Sequence, residues 1–258
     1  MEDFHLVACK IHELNPIWTE DLKQNYIKHA TREIEIHKSL NHINIVKLMD
    51  IVEINSNSFC TVLEYCEGPD LGFHLKKHKT LPEKEARIII KQIVNGIKYL
   101  NQNNPKVIHY DLKPQNVLFH KGLIKISDFG LCKILDEDST KMELTSQGMG
   151  TYWYLPPECF QTNSGILESA MISPKVDVWS IGVIFYEMLY GVKPFGNAMS
   201  QEKVMQDRVI LRANTVSFPT SPSVSSEAKE FIAKCLEYDQ FKRLDIVNIA
   251  VVNYLVKK

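Results

Sequence analysis

Four side chains in a short stretch of this chain could together move a phosphoryl group. Asp111, Lys113 and Asn116 fall within His109-Tyr110-Asp111-Leu112-Lys113-Pro114-Gln115-Asn116, and Asp128 opens the tripeptide Asp128-Phe129-Gly130 soon afterwards. Phosphoryl transfer needs a carboxylate to orient the attacking hydroxyl and accept its proton. It also needs a cation beside the transferring group and hard oxygen ligands for Mg²⁺. Asp111 suits the first role, Lys113 the second, and Asn116 with Asp128 the third. Taken singly, each has a plainer reading as a turn or capping residue. The ordered octet followed by Asp-Phe-Gly is what gives the set chemical meaning.

Several elements must hold these groups in place. The apolar triplets Val117-Leu118-Phe119 and Ile124-Lys125-Ile126 read as a hairpin that sets the separation of Asn116 and Asp128. Upstream, Leu6 to Ile11 reads as a strand, Asn25 to Leu40 as a helix, and Val46 to Ile54 with Phe59 to Tyr65 as strands joined across Asn55-Ser56-Asn57-Ser58. A small α+β lobe over Met1 to Cys66 follows from this order. Beyond Glu67-Gly68-Pro69 the pattern turns helical: Pro82 opens a helix in which Ala86, Ile90, Ile93, Ile97 and Leu100 form one buried stripe. Ser217 to Ser226 reads as a loop within this larger half, Glu67 to Lys258.

A chain of 258 residues, 45% of them apolar, can bury a substantial core and suits one two-lobed domain. With 30 Lys and Arg against 31 Asp and Glu, no net field favours nucleic acid or an anionic membrane, and neither is expected as a direct partner. The six cysteines form no C-x-x-C pair, which argues against a zinc site and for reduced thiols in an intracellular protein. Met1 to His5 lack a signal-peptide run, no stretch reaches the ~18 apolar residues of a membrane span, and the chain is expected to be soluble.

The octet with its Asp-Phe-Gly resembles the catalytic loop and metal-binding motif of protein kinases. That resemblance implies a two-lobed α+β kinase fold holding ATP and Mg²⁺ in its cleft. Val7-Ala8-Cys9-Lys10 is similar to the strand whose lysine holds the ATP phosphates, and Arg32-Glu33-Ile34 lies where the partner glutamate would be. A Lys10–Glu33 ion pair is thereby implied. Glu64-Tyr65-Cys66 resembles the hinge whose backbone meets the adenine edge, with Leu63 as gatekeeper and Ala8 and Leu118 as apolar ceiling and floor. Gly150 to Glu158 resembles the end of the activation loop, and Asp177 to Gly182 the buried helix that anchors the catalytic loop. Arg243 is the implied partner of Glu158. Lys113 and the Gly150-Thr151 dipeptide follow the serine/threonine pattern, which implies protein substrates with Ser or Thr acceptors. Tyr110 stands where the common motif has Arg, so phosphates at Ser139, Thr140, Thr145 or Ser146 are expected to modulate activity and not to switch it on.

Phe59 to Gly68, Ile108 to Pro114 and Gly150 to Phe160 look like the tousled-like kinases. This implies a nuclear setting, histone chaperones as substrates, and dimerisation through a coiled coil outside this chain. Gln115 departs from that pattern, where Gly is expected. A glycine-rich loop belongs roughly twenty to thirty residues before the strand lysine, whereas only Met1 to Cys9 precede Lys10. The expectation is a truncated small lobe, an uncovered strand at Val7 to Ile11, and weak Mg-ATP binding. Three readings follow: a fragment of an active kinase, a catalytically impaired kinase-fold binding module, or another ATP-using transferase. Retention of the polar groups favours the first.

Overall fold

The computed structural model describes residues 6–55, 57–135, 139–144, 150–161 and 170–256; Met1 to His5, Ser56, Thr145 and Ser146 lie outside the described residues. The first elements are β1 (Val7–Glu13), α1 (Glu20–Lys38), β2 (Leu48–Asn55) and β3 (Ser58–Glu64). The three strands form one antiparallel sheet in the order β1-β3-β2. Alternation along β1 turns Ala8, Lys10 and His12 inward and leaves Val7, Cys9 and Ile11 exposed. Helix α1 starts at Glu20, earlier than the apolar spacing suggests. Thr19 caps it by accepting from the Leu22 N–H, and Glu20 and Asp21 sit at the positive end of the helix dipole.

The larger half contains α2 (Leu71–His78), α3 (Glu83–Gln102), β4 (Lys106–Ile108), the hairpin β5 (Val117–His120) and β6 (Leu123–Ile126), and β7 (Lys133–Leu135), which pairs with β4. Strands β8 (Met142–Glu143) and β9 (Met171–Ile172) pair with each other, and α4 (Lys175–Tyr190), α5 (Gln201–Gln206), α6 (Ser226–Cys235), α7 (Ile246–Ala250) and α8 (Asn253–Val256) complete the described course. The expected loop before α6 ends at Ser225, whose hydroxyl caps the helix; Ser226 is already helical. This is the α+β architecture read from the sequence.

The core lies between α3 and α4. Ala86, Ile90, Ile93, Ile97 and Leu100 are each 0% exposed, and removing a Leu or Ile side chain from water contributes about 1.5 to 3 kcal/mol. In α4 every residue except Lys175 and Glu187 is buried, the pattern of a helix enclosed on all sides. Gly182 lets α6 approach it: a Cβ there would lie 2.7 Å from Cys235 Cβ. The two halves are joined by backbone bonds, from Val46 N–H to the Ile126 carbonyl (2.9 Å) and from Ile126 N–H to the Asn44 carbonyl (2.9 Å). Among the described residues no helix is long and apolar enough to cross a membrane.

Candidate active site

The loop between β4 and β5 is pinned from below. Asp177 of α4, fully buried, accepts the N–H groups of His109 and Tyr110 at 2.9 Å each. Burial pushes its carboxyl up, against the pull of His109 and the two donated N–H groups. These bonds help to hold Tyr110 at φ 68°, a left-handed conformation that costs an aromatic residue about 1 to 3 kcal/mol. Beyond the pinned pair, Asp111 stands at the centre of a polar network. Lys113 Nζ donates to Asp111 Oδ2 at 2.6 Å and to Thr151 Oγ1 at 3.1 Å, and Thr151 donates to Asp111 Oδ1 at 2.9 Å. The Asn116 amide nitrogen donates to the Asp111 carbonyl at 2.8 Å, which leaves the amide oxygen as a ligand atom.

The β5–β6 hairpin carries the chain from Asn116 to Asp128, itself at φ 64°, a region Asp tolerates better than most residues. Across the cleft Lys10 Nζ lies 2.5 Å from Glu33 Oε1 and 3.7 Å from Asp128 Oδ1. Phe129 points the other way, 1% exposed, with its ring 4.5 Å from that of His37 and 5.4 Å from that of His109. The ring nitrogens bonded to carbonyls must carry protons, so His37 Nε2–H donates to Val46 O at 2.6 Å and His109 Nε2–H to Ser127 O at 3.1 Å. Burial lowers the His37 pKa and favours the neutral ring.

A cavity of about 290 Å³ opens between the halves. Lys10, Glu33, Leu63, Leu118 and Asp128 of the sequence-read set line it, joined by Ile34, His37, Leu48, Thr61 and Ser127. The protein kinase domain family matches residues 2–255. The chain belongs to the protein kinase family. Over 258 residues it is 56% identical to serine/threonine-protein kinase tousled-like 2 of Homo sapiens, an alignment covering 97% of this chain and 33% of that one. It is 56% identical over 257 residues to serine/threonine-protein kinase TOUSLED of Arabidopsis thaliana, covering 98% and 37%. With tousled-like 1 of Caenorhabditis elegans the identity is 51% over 258 residues, covering 97% and 26%. The chain thus spans about a third of the length of the curated relatives it matches.

In this kinase domain Ala8, Glu64 and Cys66 stand apart from the cavity lining. Ala8 pairs with Leu63 in the β1–β3 register. The Glu64 carboxylate binds Lys125 at 2.8 Å and the Lys47 N–H at 3.2 Å; those contacts outweigh the upward push of burial and hold its pKa below the usual value. The Glu64 N–H is committed to the Lys47 carbonyl at 2.9 Å, which leaves the Glu64 carbonyl and the Cys66 backbone as the groups that could meet a ligand edge there. Burial raises the Cys66 thiol to about 11, so it is protonated at neutral pH.

Thr61, His37 and Thr151 are among the contributors not singled out as site residues from the sequence. Thr61 was traceable by strand alternation, being two residues before Leu63 and opposite Lys10. His37 follows Glu33 by one turn of α1. Thr151 was read as a class marker, but its two bonds to the Asp111–Lys113 pair carry no sequence signal of their own. Gln115 is accommodated by Gly72, where a Cβ would lie 2.7 Å from its Nε2.

Proposed function

We propose that this kinase domain transfers the γ-phosphoryl group of Mg-ATP to serine or threonine hydroxyls of protein substrates. The observation that carries this reading is the network in which Lys113 and Thr151 grip both oxygens of Asp111 while Asn116 fixes its backbone. A substrate hydroxyl entering there meets a carboxylate that can orient it and accept its proton, beside an ammonium suited to the transferring group. Lys10, steadied by Glu33, is the cation for the other phosphates. The donor set fits Mg²⁺. Asn116 and Asp128 offer oxygen alone, and among the described residues no group of three or more His, Cys, Asp or Glu could hold a metal ion. An ion that keeps waters and shares its shell with phosphates suits so sparse a set. Bound there, Mg²⁺ supplies charge neutralisation between the phosphates. Retention of all these groups disfavours a non-catalytic binding module.

The resemblance in Ile108 to Pro114 and Gly150 to Phe160 extends the proposal to histone chaperones as substrates in a nuclear setting, with dimerisation outside this chain. One assay tests both levels: radiolabelled ATP with histone chaperones and with Ser, Thr and Tyr peptides. Asp111→Asn is expected to lower kcat by roughly 10² to 10⁴ while Mg-ATP still binds. Asp128→Asn is expected to abolish metal-dependent binding and turnover together. Undiminished transfer in either variant overturns the roles, and label on tyrosine overturns the acceptor class.

A further inference from the structure

We propose that Cys9 and Cys60 form a peroxide-responsive dithiol that closes to a disulfide across β1 and β3. Strand register brings them together. Ile11 lies opposite Cys60 and Cys9 opposite Val62, so the two cysteines are diagonal neighbours on the outer face of the sheet. The Cys60 thiol donates to the Thr61 carbonyl at 3.6 Å, and burial first, then the neighbouring Cys9 thiol, raise its pKa. Cys9 is exposed. Cys60 is 6% exposed, yet its cross-strand neighbours Ile11 and Val52 are 64% and 46% exposed, so a single layer of side chains covers it. An accessible thiol diagonal to a sheltered second one on the same sheet face is the arrangement in which the first is oxidised and the second resolves it.

The chemistry needs hydrogen peroxide as the oxidant. The Cys9 thiolate attacks one peroxide oxygen; an S–O bond forms, the O–O bond breaks, and the departing hydroxide takes up a proton as water. The Cys60 sulfur then attacks the Cys9 sulfenic acid; the S–S bond forms, the S–O bond breaks, and the Cys60 proton leaves with that oxygen as a second water. Two thiols have given two electrons and two protons to one peroxide. Burial and the neighbouring Cys9 raise the Cys60 pKa, so Cys60 is not the thiol that meets peroxide first, and it must give up its proton as it attacks in the second step.

Closure has a mechanical effect. Diagonal cross-strand residues stand about 7 to 8 Å apart at Cα, whereas a disulfide prefers about 5.5 to 6 Å. Bridging therefore shears β1 against β3 at the residue preceding Lys10, whose ammonium reaches Glu33 at 2.5 Å. The oxidised chain should bind Mg-ATP about tenfold more weakly; this arm rests on the kinase reading, and the cross-link does not.

The test treats the 258-residue chain with hydrogen peroxide near neutral pH, alkylates the remaining thiols and digests it without reductant. The expected product is a linked pair of peptides carrying Cys9 and Cys60, lighter by two hydrogens than their sum and separated again by dithiothreitol. Cys9→Ser, at the exposed position, should abolish the product without disturbing the circular dichroism. Cys60→Ala should leave Cys9 trapped as a sulfenic acid that dimedone captures. Cys9 advancing to sulfinic acid without a cross-link in the unaltered chain, or bridging to another cysteine or a second chain, overturns the proposal. A complete bridge with unchanged Mg-ATP affinity by calorimetry overturns the coupling to Lys10.

Discussion

The guanidinium of Arg243 donates to Glu158 Oε1 at 2.7 Å and Oε2 at 3.1 Å, and to the carbonyls of Glu237, Lys175 and Tyr238. Its five N–H donors are thus all used, and its Cζ lies 5.0 Å from the centroid of the Trp179 ring. With the Arg243 side chain 0% and that of Glu158 3% exposed, neither charge has water to fall back on. Arg243→Ala should lower the unfolding free energy by about 3 to 5 kcal/mol, because it strands a buried carboxylate. The measurement is a urea transition with an unchanged slope; Arg243→Lys should recover only part, since an ammonium cannot make the two-pronged bond. This pair was legible in the sequence because Glu158 closes a recognisable motif and the family resemblance implies Arg243 as its partner. The left-handed backbone of Tyr110 was not, because nothing in an aromatic residue's identity announces a conformation its neighbours impose.

At the scale of elements, legibility followed length and periodicity. Helix α3 was readable because its apolar residues recur at the helix period over several turns, and the β5–β6 hairpin because two short apolar-rich runs flank the turn at Lys121-Gly122. Strands β4, β7, β8 and β9 span two or three residues, too few for alternation to register, and exist because tertiary partners select them. Two of them lie next to Tyr110. The β8–β9 pair sits beside a cluster in which Tyr110, Leu144, Leu155, Cys159 and Ile172 are all buried, with Lys133 Nζ 5.4 Å from the Tyr110 ring. At the position where the common motif has Arg, this chain packs Tyr110 into apolar surface, with Lys133 and Arg32 as nearby cations. Replacing Ser139, Thr140, Thr145 and Ser146 together by alanine should therefore leave kcat within tenfold of the parent; Thr145 and Ser146 lie outside the described residues. A fall of a hundredfold or more in a steady-state assay would show that a cation such as Lys133 captures a phosphate after all.

For the whole molecule, the buried titratable groups set a pH window. His12, His37, His42 and His74 are all pulled below the usual 6.5 by burial, so as pH falls through 6.5 the unfolded chain takes up protons first and stability drops. Cys66, Cys132, Cys159 and Cys235 are pushed above the usual 9.0 by burial, so above that pH the unfolded chain sheds protons first and stability drops again. Asp177, also raised by burial, acts in the opposite sense only as pH falls toward 3.8. Urea midpoints across pH should form a plateau between the histidine and thiol limits and decline on both sides; a midpoint that keeps rising below pH 6.5 would contradict the assignment of these rings as neutral. The backbone rung that joins Asn44 and Val46 to Ile126 acts at this scale too. Ile126 is two residues from Asp128, and the segment bonded to it follows directly on the helix that carries Glu33. This joint between the two halves therefore lies beside Asp128. Were the two halves to rock about this rung, Asp128, close to it along the chain, and Glu33, on the helix that leads into it, would be displaced least, and the opening would be felt at the far rim of the cavity.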